Sequence, residues 1–378
     1  MAKVLVVAGE ASGDMHAAHV IEEMKKLDSN LEFIGIGGQQ MAEVGVDIIF
    51  DPTELSTIGF IEAFKHLRLM YQVLNKLEQA IDHEDPDVAL LVDYSGFNLK
   101  VAKLTKKKGV PTVNYFAPSA WVWGKWRAKK MAKRQARIAS VFPMEEEVYR
   151  EAGANVNFVG HPLLDIVETE LDRKEAAEEF EIDIDREIIG LLPGSREQEI
   201  KSLLPPMLAA AEELKKEEPK RQFILPVAET ISKDLITEIM SNYSVDIKVV
   251  TGNSYEVMNL ATLIIVASGT ATLEAACLGT PMVIIYKTSL LTWWLGRLLV
   301  KLPYVGLPNI IMDKKIVPEL LQDEVDAESI VAVSSEILNS TEYYNQIKED
   351  LESVVTKLGT SGATKKVAQM VLEVGGVN

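Results

Sequence analysis

The chain is predicted to fold as two doubly wound, Rossmann-like α/β domains with a C-terminal helical segment, and three observations predict it. Short β-branched runs alternate with helical patterns along 378 residues; the alternation restarts with a buried apolar run at 188–192; and the chain ends in amphipathic helical patterns. Strands separated by helices need crossover connections, which build parallel sheets covered on both faces. A chain of this length suits two ordinary cores better than one.

In the first half the strand-like runs are 4–7, 32–36, 88–92 and 111–115; in the second they are 188–192, 222–225, 247–250, 263–266 and 282–285. A boundary is expected within 160–174, where a Gly-His-Pro-Leu-Leu-Asp turn gives way to a polar helical stretch. The expected division is 1–165, 166–345 and a helical tail over 346–378, with amphipathic helices near 327–338, 343–358 and 363–373. No fixed 20–50 residue repeat is present.

Composition narrows the function classes. Hydrophobic residues make up 47% and charged residues 25%, the balance of a globular protein. Cys277 is the lone cysteine, and the opening MAKVLVVAGE reads as a strand rather than a secretory leader, which together favour a cytoplasmic setting. The apolar stretch 292–300 is interrupted by Arg297 and falls short of the roughly 20 residues a spanning helix needs. A net charge of −17 argues against a general nucleic-acid binder. Yet residues 94–144 carry twelve Lys or Arg and no acid, a pattern expected of an anion- or lipid-facing patch or of a solvated basic helix.

Four stretches carry chemistry. The first strand runs into Gly9-Glu10-Ala11-Ser12-Gly13-Asp14, a small-residue loop opening a helix. Glu10 and Asp14 would repel a phosphate there, so the loop is expected to meet neutral hydroxyls such as those of a sugar acceptor; a structural turn capped by Ser12 or Asp14 is the alternative. Asp93 ends another strand, and the carboxyl ends of strands in open α/β sheets meet the ligand, so Asp93 is the candidate general base. An Asp capping the next helix would stand in the same place. Glu10 and His16 are grouped with it as candidate catalytic residues; His16 and His19 share a helical face.

In the second half, Leu192-Pro193-Gly194-Ser195-Arg196 follows a strand-like run. Gly194 and Ser195 can offer N–H groups, and Arg196 a guanidinium fork that matches phosphate oxygens. Ser268-Gly269-Thr270-Ala271-Thr272-Leu273-Glu274 follows another, again placing small residues and hydroxyls where a diphosphate would bind, with Glu274 placed to accept from a ribose hydroxyl. No Asp-x-Asp or His cluster suggests a metal site, and no cofactor is expected.

With Ala117-Pro118-Ser119-Ala120-Trp121-Val122-Trp123 and Leu307-Pro308-Asn309 added, these motifs in their order resemble the lipid-A-disaccharide synthase family over most of the chain. The resemblance implies a GT-B fold and an inverting transfer: diacylglucosamine passes from its UDP donor to the 6-hydroxyl of 2,3-diacylglucosamine 1-phosphate, giving a β-1,6 disaccharide and UDP. It implies UDP contacts at Arg196, Ser268, Thr270, Glu274 and Asn309, with Gly194, Ser195, Gly269 and Thr272 in the same loops, and it places Asp93 on the family's base. The family motif Asp-x-Pro-Asp-Phe-Asn reads Asp93-Tyr94-Ser95-Gly96-Phe97-Asn98 here, so Gly96 replaces the second acid. A homodimer is a family expectation.

Acylated substrates need an apolar landing surface. The expected acceptor- or lipid-facing residues are Ser12, Asp14, Trp121 and Trp123, with Ile58, Phe60, Trp293, Trp294 and Arg297, whose two stretches mix aromatic, aliphatic and cationic groups as an interfacial segment does, core helices being the alternative. With the basic region they predict peripheral attachment to the inner face of the cytoplasmic membrane. Two rivals remain: a UDP-N-acetylglucosamine 2-epimerase-like enzyme, and a non-catalytic nucleotide-sugar binder.

Overall fold

The structure, a computed structural model, describes residues 2–9, 11–52, 63–118, 120, 125–134, 137–289 and 303–377. Two compact units divide it: Met1–Asp165 with Leu358–Asn378, and Ile166–Lys357.

The first unit is built on seven parallel strands: β1 (Lys3–Ala8), β2 (Glu32–Ile36), β3 (Asp47–Phe50), β4 (Val88–Val92), β5 (Thr112–Tyr115), β6 (Arg137–Ser140) and β7 (Val156–Phe158). They lie in the order β3-β2-β1-β4-β5-β6-β7. Side chains alternate faces along a strand, and β1 shows why its run is apolar throughout. Val4, Val6 and Ala8 join one fully buried cluster, Leu5 and Val7 another. The first cluster takes in Val20, Ile21 and Met24 of helix Ala11–Leu27 and Val367, Ala368 and Val371 of helix Ala363–Gly375. The second includes Leu77 and Ile81 of helix Ala63–Glu84 and Val101 of helix Ser95–Lys108. Helices on both faces force a continuous hydrophobic strand.

Helix Ala363–Gly375 therefore covers the first sheet although it ends the chain. Asp165 fastens it: Oδ1 accepts from the Gly362 N–H at 2.6 Å and Oδ2 from the Ala363 N–H at 3.0 Å. Residues 346–357, by contrast, belong to the second unit.

That second unit holds six parallel strands, β8 (Ile188–Leu192), β9 (Gln222–Val227), β10 (Lys248–Thr251), β11 (Leu263–Ala267), β12 (Met282–Tyr286) and β13 (Glu319–Leu321), in the order β10-β9-β8-β11-β12-β13. Both sheets are doubly wound, as expected. Strands β3, β6, β7 and β13 were not anticipated; each has three or four residues, and β6 begins with a cation of the basic run. Strands this short carry too little periodicity to separate from loops.

The chain order reverses between β1 and β4 in one sheet and between β8 and β11 in the other. Such a reversal splays the following loops apart and leaves a crevice at the carboxyl ends of the strands. The four loops singled out by sequence are the four that leave these strands.

Candidate functional sites

At the reversal point of the first sheet, Asp93 leaves β4 with a left-handed backbone, φ 32°. Asp tolerates this region better than most residues. Its N–H donates to the Tyr115 carbonyl at 3.3 Å, and Ser12 Oγ donates to its Oδ2 at 3.3 Å. Two predicted site residues, 81 positions apart, are thus brought together. The turn after Asp93 is held from within by Asn98, a buried residue whose Nδ2 donates to the Val92 carbonyl at 3.2 Å. Gly9 is required for a reason other than ligand approach: a Cβ there would stand 2.0 Å from the Tyr94 ring.

Asp14 does something different from the expected acceptor contact. It is 5% exposed, and its carboxylate accepts from the N–H groups of Gly38 at 2.7 Å, Gln40 at 2.9 Å and Met41 at 3.3 Å. Those are the orphan donors at the start of helix Gln39–Glu43, which a carboxylate satisfies well. Asp14 is therefore a structural cap rather than a surface for a sugar.

His16 stacks on Phe116 with centroids 4.5 Å apart, and its Nδ1 is buried without a hydrogen-bond partner. Burial, with His19 adding a smaller effect, pushes its pKa down to about 4. His161 lies in the same aromatic group, 6.1 Å from Phe116, and burial with a contribution from His16 lowers it to about 3. Both rings are neutral near pH 7, and His16 is half-buried against Phe116.

At the reversal point of the second sheet, a cavity of about 380 Å³ is lined by Gly194, Ser195, Arg196, Ser268, Gly269, Thr270 and Glu274 among others. This is the size range of ligand pockets. A neighbouring cavity of about 530 Å³ shares Arg196, Glu199, Ala267 and Ser268 with it and extends to Lys287 and Thr288. Gly194 has φ 106°, which favours glycine. The Arg196 side chain is 82% exposed and donates from Nη1 to Glu199 Oε1 at 3.0 Å. Burial raises the carboxyl of Glu274 above the ordinary range, and Ser268 Oγ donates to the Val305 carbonyl at 3.1 Å.

Thr272 and Asn309 do not line this cavity. Thr272 is fully buried and donates to the Gly269 carbonyl at 2.8 Å, stiffening the loop. Asn309 is also fully buried: its Nδ2 donates to the Val317 carbonyl and Glu319 Oε1, and its Oδ1 accepts from the Ile316 and Val317 N–H groups. Its amide is saturated inside the unit, so the side chain organises the 305–319 loop instead of reaching a ligand. Two residues that sequence reasoning passed over stand beside these loops: Glu199, on the pocket wall, and Glu319, whose carboxylate accepts from the N–H groups of Val305 and Gly306.

Glu10, Ile58, Phe60, Trp121, Trp123, Trp293, Trp294 and Arg297 lie outside the described residues. The basic run is partly paired: Lys108 with Asp82, Lys107 with Glu78 and Arg137 with Glu373. Beside these pairs Trp126 is 54% exposed, with Lys130 Nζ 4.4 Å and the Arg127 guanidinium 5.5 Å from its ring centroid. Among the described residues, no helix is long and apolar enough to cross a membrane, and no three His, Cys, Asp or Glu come together to hold a metal ion.

Comparison with known proteins places this geometry. A family profile described as lipid-A-disaccharide synthetase matches residues 4–374. The chain is 39% identical to a lipid-A-disaccharide synthase of Geobacter sulfurreducens over 99% of its own length and 97% of the relative's. It is 39% identical to one of Nitrosococcus oceani over 97% and 95%. Among solved structures, a UDP-GlcNAc 2-epimerase from Neisseria meningitidis bound to UDP-GlcNAc superposes with TM-score 0.65 at 14% identity, covering 98% of this chain and 100% of that one. The glycotransferase of kitacinnamycin gives 0.64 at 12%, covering 99% of each. At such identities the structural likeness speaks for the fold alone.

Proposed function

The chain belongs to the lipid-A-disaccharide synthase family, and from that membership we propose that it joins two acylated glucosamines. The 6-hydroxyl of 2,3-diacylglucosamine 1-phosphate attacks C1 of UDP-2,3-diacylglucosamine; the new glycosidic bond forms as the bond to UDP breaks, and the hydroxyl proton passes to a base. The observation that carries this reading is the family match over residues 4–374.

Asp93 is our candidate for the base, and the Ser12 hydrogen bond to its carboxylate supports it by orienting the acid. Departure of UDP needs stabilisation of charge growing on the diphosphate. Arg196 and the N–H groups of the Gly194–Arg196 turn, with the Ser268–Thr270 loop, are suited to that task. Arg196 brings two charge-assisted donors on a fixed fork. The raised Glu274 carboxyl suits a hydrogen bond to a ribose hydroxyl in a sheltered place.

Attachment to an anionic membrane surface from the side of the substrates is also proposed, supported by the exposed Trp126 with Lys130 and Arg127 over its ring. Liposome co-sedimentation at low salt checks it: pelleting with anionic but not neutral vesicles is expected, and absence of pelleting with either removes the idea.

Mass spectrometry of the product formed from the UDP-diacylglucosamine and its 1-phosphate acceptor tests the activity directly. The expected result is a disaccharide monophosphate with stoichiometric UDP. Epimerisation of UDP-N-acetylglucosamine without disaccharide formation would reverse the assignment in favour of the 2-epimerases that share the fold.

A further inference from the structure

The donors of the Gly194–Arg196 turn already hold an anion, and it is one of the protein's own. Glu199 Oε2 accepts hydrogen bonds from the N–H groups of Ser195 and Arg196, both at 3.2 Å, and Oε1 accepts from Arg196 Nη1 at 3.0 Å. A glutamate at the third position of a helix ordinarily accepts from the N-cap N–H, here that of Arg196. The other two bonds go beyond capping, to a second backbone N–H and to the guanidinium, and these are the kinds of donor a phosphate uses. The carboxylate also lies so close over Gly194 that a Cβ there would stand 2.3 Å from Oε2. Glu199 lines both cavities of the second unit.

We propose that Glu199 is a tethered stand-in for the diphosphate: it occupies the turn's donors while the pocket is empty, yields them to UDP, and by returning speeds the departure of UDP. The inference rests on the reading that this pocket takes UDP. On these exposed donors the carboxylate takes the place that water or another anion would fill. A solvent-exposed pair three residues apart is weak, so a diphosphate of higher charge and matching bidentate geometry displaces it. Binding is then an exchange of anions, and the displaced carboxylate, still anchored a few ångströms away, opposes the bound diphosphate. Affinity for UDP is held down and product release is kept fast.

Calorimetric titration of UDP into the full chain, wild type and Glu199→Gln, tests this. Gln can keep the capping bond while removing the charge and one acceptor oxygen. The expected result is UDP binding roughly tenfold tighter in the variant, the factor for removing about 1.4 kcal/mol of repulsion, with dissociation by stopped flow slowed to match. UDP affinity equal to or below wild type in a folded Glu199→Gln protein overturns the proposal, since it would leave Glu199 as a cap or as a support for Arg196. Glu199→Ala, which removes the capping bond together with the charge, gives a second comparison: tighter UDP binding is again expected, and weaker binding in the folded variant overturns the proposal. Absence of UDP binding by the wild type would instead overturn the underlying assignment of the pocket, and the inference with it.

Discussion

Ser12 Oγ donates to Asp93 Oδ2 at 3.3 Å, linking the first turn of the helix after β1 to the residue after β4 where the order of the first sheet reverses. The pairing exists because β1 and β4 are parallel neighbours in register, Ala8 beside Val92, so residues leaving their ends meet. A hydroxyl on one carboxylate oxygen, with the backbone of Asp93 turned to φ 32°, fixes the direction in which the acid points. Strained backbone at a carboxylate in such a crevice is a recurring mark of function.

Asp93→Asn keeps the shape of the side chain and removes its basicity. UDP affinity should remain at the wild-type value while the transfer rate falls by about 10²-fold or more, the usual worth of a positioned base. Single-turnover kinetics with both substrates decides it; near-normal turnover would remove Asp93 from the role.

Arg196→Ala should reduce kcat/KM by about 10²-fold, on the scale of one lost donor to a developing anion. Calorimetry should show weakened UDP binding as well, because the exposed guanidinium serves bound and leaving diphosphate alike. An unchanged UDP affinity would place the diphosphate elsewhere.

Ser12→Ala should lower the transfer rate by about 3- to 10-fold, the value of one ordinary hydrogen bond that orients rather than reacts. In Asp93→Asn the same substitution should have little further effect, as residues acting through one another are non-additive. Additive losses in the double variant would separate the two side chains functionally.

His161 makes stability depend on acid. Its pKa, about 3 in the folded chain, lies below the unfolded value of about 6.5, so below pH 6.5 the unfolded state binds the extra proton. Stability is therefore full above pH 6.5 and declines as pH falls toward 3, by on the order of 5 kcal/mol from this group. His161 Nδ1 accepts from the Leu163 N–H at 3.2 Å, and a protonated ring would lose that bond. His161→Asn, whose amide oxygen can take over as acceptor, should move the acid midpoint of urea or thermal unfolding to lower pH; an unmoved midpoint would assign the acid limb to other groups.

Asp165→Ala should destabilise the chain by about 1–2 kcal/mol through loss of two acceptors at the start of the last helix. Chemical denaturation measures it, and hydrogen exchange should show residues 363–375 losing protection first. Uniform protection in the variant would mean that packing of Val367, Ala368 and Val371 alone holds the helix.

The amino-acid sequence by itself determined the two doubly wound sheets and the four loops at their carboxyl ends, since strand runs apolar on both faces and small residues at strand ends are local signals. What those loops' side chains do was decided by tertiary structure. Asp14 and Asn309 carry polar groups as suited to a ligand as those of Ser12 and Arg196, yet packing saturates the first two with buried backbone groups, while the others keep exposed partners, Asp93 for Ser12 and Glu199 for Arg196. Glu199 reads as a solvated helical acid until the fold of the turn brings three donors to its carboxylate. The last helix reads as part of a separate helical tail until Asp165 and the first sheet claim it. A sequence states which groups can donate, accept or be buried; only the folded chain decides which are already satisfied, because that depends on how the backbone turns near each group as well as on partners brought from distant parts of the chain.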